Sequence, residues 1–132
     1  MRGFSALELV ITLVIAAILA ALAIPYFSQS EADAAWFSDQ VKAALRYAQR
    51  QAVASRRLVY VFVTPTQVRL CYDDPCTNEL TSQRLNTPGG VAIGTTTTFS
   101  FNGLGRPSFG STLNFAVGSK VITVHAETGY VP

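Results

Sequence analysis

One carboxylate stands where physical chemistry disfavours it. Glu8 opens a run, Leu9 to Ile24, of sixteen residues without a charge, in which Thr12 is the only polar side chain. A carboxylate inside an apolar segment costs up to about 3 kcal/mol, depending on its depth in a bilayer, and such groups usually face an opposite charge. If the chain were cut after Gly3, Phe4 would carry a free amine four positions from Glu8. The Glu8 carboxylate of one copy could then pair with the Phe4 amine of its neighbour.

Other residues able to do chemistry are few. Cys71 and Cys76 enclose Tyr72-Asp-Asp-Pro75, rich in turn formers. Downstream of an export-type segment they are expected as a small disulfide-closed hairpin loop, with free thiols as the alternative. Asp73, Asp74, Asn78 and Glu79 offer oxygen ligands, but their spacing is not that of an EF-hand, so no metal or cofactor is assigned. Lys42, Arg46 and Arg50 step four residues apart, with Arg56 and Arg57 beyond, which makes a DNA-contacting stripe an alternative to a solvated helix end. His125 sits in a strand-like alternation with no nucleophile arrangement around it, and Trp36 and Phe37 read as core or membrane-interface residues. No catalytic constellation is legible, so no enzyme is expected.

The elements that position these residues follow from composition and period. At 132 residues the chain holds one domain. Only 14% of residues are charged, where roughly 25% is usual, and the Leu9–Ile24 run accounts for the imbalance. A net charge of +2 is too small to imply a nucleic-acid partner. Past Pro25, the residues Ala34, Phe37, Val41, Ala44, Leu45, Ala48 and Ala52 form one apolar stripe at helical period. Ser28 or Ser30 could cap this half, and its acids precede its bases in the order a helix dipole favours. Read as one bent helix, Phe4–Arg57 is about 80 Å long, against a radius of gyration near 13 Å for a domain of about 100 residues, so it must protrude.

From Leu58 the signal changes to strands: Leu58–Val63, the alternation Val68-Leu70-Tyr72, Thr97–Asn102, Leu113–Val117 and Lys120–Ala126. The expected fold class is α+β, a long protruding N-terminal helix with a transmembrane half and an amphipathic half. The amphipathic half packs on a C-terminal antiparallel β-sheet or small β-sandwich. Three readings of the N-terminus compete. One is a secretory signal with Ala21-Leu22-Ala23 as the cleavage site, releasing a soluble domain at Ile24. The second is a plain membrane anchor. The third is a cut near the start that makes sense of Glu8.

The segment MRGFSALELVITLVIAAILAALAIPYF resembles the start of a type IV prepilin or pseudopilin with a class III signal. The matching pieces are the short basic leader Met1-Arg2-Gly3, Gly3 before the cut, Phe4 after it, Glu8 five residues into the mature chain, and Pro25 where a helix-bending proline often falls. The resemblance implies that a prepilin peptidase removes residues 1–3 and methylates the Phe4 amine, which keeps its charge. It implies that Phe4–Ile24 holds the chain in the inner membrane as a single-pass protein, with lipid and an inner-membrane assembly platform as partners. The head would lie in the periplasm until extraction into a fibre of pilin or pseudopilin subunits.

The domains expected are the leader 1–3, a transmembrane and assembly helix 4–27, the amphipathic helix 28–57 and a β-rich head 58–132. The stretch ALRYAQRQAVASRR before the β-rich head is similar to H-type minor pseudopilins of type II secretion and to their type IV pilus counterparts, including minor pilins of the mannose-sensitive haemagglutinin pilus. Phe101-Asn-Gly-Leu-Gly-Arg-Pro107 and Thr128-Gly129 fit that group. A minor subunit at the tip or in initiation is implied, with a DNA-uptake or adhesive pilin as the alternative.

Overall fold

The computed structural model describes residues 5–23, 29–80 and 84–132. The expected cleavage at Gly3 and Phe4, the cap at Ser28 and the bend at Pro25 lie outside the described residues. Helix α1 spans Ala6–Ala23 and helix α2 spans Gln29–Ser55. Six strands follow: β1 (Val59–Thr64), β2 (Gln67–Cys71), β3 (Leu85–Asn86), β4 (Thr97–Phe101), β5 (Leu113–Val117) and β6 (Lys120–Val124). All pairings are antiparallel. One sheet has the order β3-β2-β1-β4 and the second is the hairpin β5-β6.

Helix α2 packs on β1 and β6 and more lightly on β4 and β5. Its buried face is Ala34, Phe37, Val41, Ala44, Leu45, Ala48 and Ala52, together with Ser38. Four alanines in that stripe let the sheet residues approach the helix axis, while Phe37 and Leu45 fill the space between. Each is fully buried, which stabilises the head by about 1.5–3 kcal/mol per side chain. In β1 the residues Val59, Val61 and Val63 point into this core and their neighbours are half-buried. The register places Val61 opposite both Leu70 and Phe99, which carries the alternation across three strands.

Helix α2 stops where Arg56 adopts a left-handed conformation (φ 51°). Arg57 N–H closes back on the Ala52 carbonyl at 3.3 Å. A glycine usually occupies that position, and a side chain there costs about 1–2 kcal/mol. Arg56 and Arg57 therefore lie past the helix end, and the last turn of α2 carries no basic residue.

Among the described residues no helix is long and apolar enough to cross a membrane. That overturns the expected transmembrane half and the single-pass inner-membrane location with a periplasmic head. The physical reason is length and charge. The 18 residues of α1 rise about 27 Å, short of a hydrocarbon layer of about 30 Å, and Glu8 lies in the first turn.

Candidate assembly surface

The start of α1 is set by Ser5. Its Oγ accepts the Leu7 N–H at 3.3 Å, and its carbonyl accepts the N–H groups of Glu8 at 3.0 Å and Leu9 at 3.2 Å. This is an N-cap, and it puts the Glu8 carboxylate at the positive end of the helix dipole. Thr12 hides its one polar group by donating from Oγ1 to the Leu9 carbonyl at 2.9 Å. Among the described residues Glu8 has no ion pair, and Phe4, its expected partner group, lies outside them.

From Ser5 to Leu22 every side chain is exposed. Leu7, Leu13 and Leu22 are each more than 60% accessible, and they lie on different sides of the helix. A helix that is apolar all round is stable only when something covers it, and a continuous apolar surface of this size marks an interaction site. The head, by contrast, buries its own apolar stripe completely.

The basic stripe is divided among several tasks. Lys42 is half-buried beside a groove of about 290 Å³ lined by Ala35, Ser38, Asp39, Lys120 and Val121. Arg46 donates from Nε to the Val131 carbonyl at 3.1 Å and so holds the C-terminal segment on α2. Arg50 is exposed. The Arg57 guanidinium lies 5.4 Å above the ring of Tyr72, whose hydroxyl accepts from Gln51 Nε2 at 2.7 Å.

Cys71 and Cys76 are joined, with their Cα atoms 5.4 Å apart. The four acidic-loop residues do not converge. Asp73 accepts from the backbone N–H groups of Thr77 and Asn78 at 3.0 and 2.8 Å, and from both their side chains. The Thr77 hydroxyl and the Asn78 N–H, foremost among these, hold its carboxyl below the usual range. Glu79 turns away to Arg84 (2.6 Å) and Arg69 (3.2 Å). The Arg84 hydrogen bond, followed by those of Arg69, holds Glu79 at about 2 against an ordinary 4.5. Among the described residues no group of three or more His, Cys, Asp or Glu side chains could hold a metal ion.

His125 is exposed and stacks on Tyr130, with ring centroids 5.9 Å apart. Phe37 lies in the core, whereas Trp36 is 59% exposed on the opposite side of α2. The sequence did not reveal what joins its two late motifs. Gln49 donates from Nε2 to the Gly105 carbonyl at 2.9 Å and to the Thr128 carbonyl at 2.7 Å. That clamp brings the 101–107 turn against Thr128-Gly129. A glutamine at a half-buried helix position, with two glycine turns far along the chain, was the only available signal.

The family model of GspH, a type II transport protein, matches residues 38–128, from the buried face of α2 to the turn after β6. The chain belongs to the GspH family. As a GspH-family member it is a pseudopilin-type subunit, and membership implies other pseudopilin subunits as its partners in a secretion pseudopilus. The family is one of structural pseudopilins rather than enzymes. The match covers α2 from Ser38 onward, both sheets and the 101–107 motif, and ends at Thr128, leaving α1 and the first part of α2 outside it. No curated protein and no solved structure matches the chain significantly.

Proposed function

We propose that this GspH-family chain assembles through α1, whose apolar side chains are covered by the equivalent helices of neighbouring subunits. The observation that carries this reading is the contrast between the two helices. Helix α2 buries its apolar face within the chain, while α1 exposes its apolar surface on every side. The reading divides the chain into a leader (1–3) removed by a prepilin-type peptidase, an assembly helix (4–27), and a head formed by the helix 28–57 and the β-rich 58–132. Cleavage after Gly3 gives Phe4 a charged amine, methylated or not, and Glu8 of an adjacent copy supplies its counter-charge. The subunit serves as a minor component of the fibre, at its tip or in its initiation.

Replacing Glu8 by Ala tests the pairing. The expected result is a variant whose head folds as before and whose recovery in sedimentable fibres, or in complex with other pseudopilins, falls at least severalfold. Recovery equal to wild type would remove Glu8 from the mechanism. A mature N-terminus other than Phe4 in the same preparation would remove the leader cleavage.

A further inference from the structure

The hairpin β5-β6 has an edge that the chain leaves open. Its register pairs Val117 with Lys120 across the turn Gly118-Ser119, and Phe115 with Ile122. In a ladder closed by so short a turn these pairs exchange the inter-strand hydrogen bonds. The residues between them aim N–H and C=O away from the partner strand. On β5 the outward groups are used: Gly94 N–H reaches the Ala116 carbonyl at 2.9 Å, and Gly118 N–H reaches that of Ala92 at 3.0 Å. At the end of β6, His125 N–H donates to the Tyr130 carbonyl at 3.0 Å, and the His125 carbonyl accepts from Gly129 at 2.8 Å. Among the described residues the outward main-chain groups of Val121 and Thr123 have no such partner. Beside them runs the groove between β6 and α2, floored by Ala35 and Ser38, small residues that leave room for a backbone. Lys42 and Lys120 face it against the single acid Asp39, and among the described residues none of the three has an ion pair.

We infer that this open edge accepts, as an added strand, an extended acidic segment of a different subunit. An unpaired strand edge is a template for another chain, and main-chain hydrogen bonds supply the affinity of such an addition. Here Val121 and Thr123 provide those bonds, while Lys42 and Lys120 receive acidic side chains of the incoming strand. A second copy of this chain is a poor donor, because none of its six strands carries an Asp or Glu. Its acidic loop is closed by the Cys71–Cys76 link, with Asp73 and Glu79 already engaged. The donor is therefore a chain of different sequence, as suits a subunit placed at the tip or in initiation. The inference rests on the assembly reading for the donor's being another subunit, whereas the edge and groove belong to the folded head.

The full-length chain in detergent is titrated with a fluorescent capped peptide alternating Val and Glu, and with its Val and Lys counterpart. The glutamate peptide is expected to bind severalfold more tightly and to slow hydrogen exchange at the Val121 and Thr123 amides. Val121→Pro removes an outward N–H without touching the bonds to β5, a change that an edge strand tolerates. It should weaken peptide binding about tenfold, roughly the worth of one backbone hydrogen bond, whereas Val121→Thr keeps the N–H and should bind as wild type does. Lys120→Glu should weaken binding about threefold, as losing an exposed charge pair does. Absence of binding, unchanged binding by Val121→Pro, or preference for the lysine peptide would each overturn strand addition at this edge. Recovery of Val121→Pro with other pseudopilins equal to wild type would overturn a subunit as the donor. Glu8→Ala should bind the peptide normally, so failure of assembly through α1 is distinguishable from failure of the edge.

Discussion

The Nε2 of Gln49 lies 2.7 Å from the carbonyl oxygen of Thr128, joining two residues that are 79 positions apart in the chain. The same amide reaches Gly105, so one side chain of α2 fixes two surface turns. Gln49→Ala would leave the part-buried Gly105 carbonyl without this donor, while the exposed Thr128 carbonyl can turn to water. The expected loss is about 1–3 kcal/mol of stability, read as a lower urea midpoint at unchanged slope.

Gly129 has a positive φ of 67°, and a Cβ there would lie 2.5 Å from the Gly105 carbonyl and 2.9 Å from the Phe101 ring. Backbone strain and collision add, so Gly129→Ala should cost about 2–4 kcal/mol. Gly90 also has a positive φ, of 84°, with nothing within 4 Å of its would-be Cβ. Gly90→Ala should therefore cost only about 1–2 kcal/mol, the strain alone. Thermal unfolding of the two variants side by side separates the contributions, and equal losses would refute the crowding at Gly129.

Glu79 ties β2 to the segment before β3 through Arg69 and Arg84. Its folded pKa, about 2, lies below the ordinary 4.5, so the folded state favours the carboxylate. The stability it contributes is fully present above about pH 4.5 and is lost as pH falls toward 2. Asp73 is lowered too and adds to the acid side of the same profile. Denaturant midpoints measured from pH 5 to 2 should fall less steeply for Glu79→Gln than for wild type. Parallel profiles would show that the arginine contacts do not hold the carboxylate in solution.

The Cys71–Cys76 link closes a short loop that is held in other ways as well. Tyr72 N–H bonds the Asn78 carbonyl at 3.0 Å, and Leu80 N–H bonds the Leu70 carbonyl at 2.8 Å. Reduction should therefore cost only about 2 kcal/mol, the chain-entropy value for so small a loop, without loss of the β2 register. Hydrogen exchange at Leu80 in the reduced protein checks the second half of that statement: protection should persist.

The periodic parts of the chain were the legible ones. The stripe from Ala34 to Ala52 predicted the buried face of α2 residue by residue, because a 3.6-residue period leaves little freedom of interpretation. Strand β5 begins and ends where the alternation Leu113–Val117 does, and β1, β2, β4 and β6 lie within a residue or two of their apolar runs. Strand β3 was not legible. Leu85–Asn86 is a two-residue pairing whose only support is its partner, Gln67–Val68 of β2. Trp36 was read as core or interface from its type, yet the packing of Phe37 beside it turns the indole outward.

At the candidate site the outcome divides along the same line. The apolar α1 was read directly from Leu9–Ile24, but its reading as a membrane anchor gave way to a helix of 18 residues that carries Glu8 in its first turn. The basic stripe looked uniform in sequence. Only the fold shows Arg46 reaching Val131, 85 residues away, and Arg57 capping the Tyr72 ring. The Gln49 clamp has no local signature, since a glutamine facing two glycine turns is defined by closure of the chain on itself.

The chain has a single tryptophan, and Trp36 stands on the outward face of α2. That makes it a built-in optical reporter with an unusual bias. Its indole already meets solvent in the folded monomer, so unfolding the head should move its emission little. Coverage by a neighbouring subunit should shift that emission to the blue. Intrinsic fluorescence from the unmodified chain therefore follows association rather than folding.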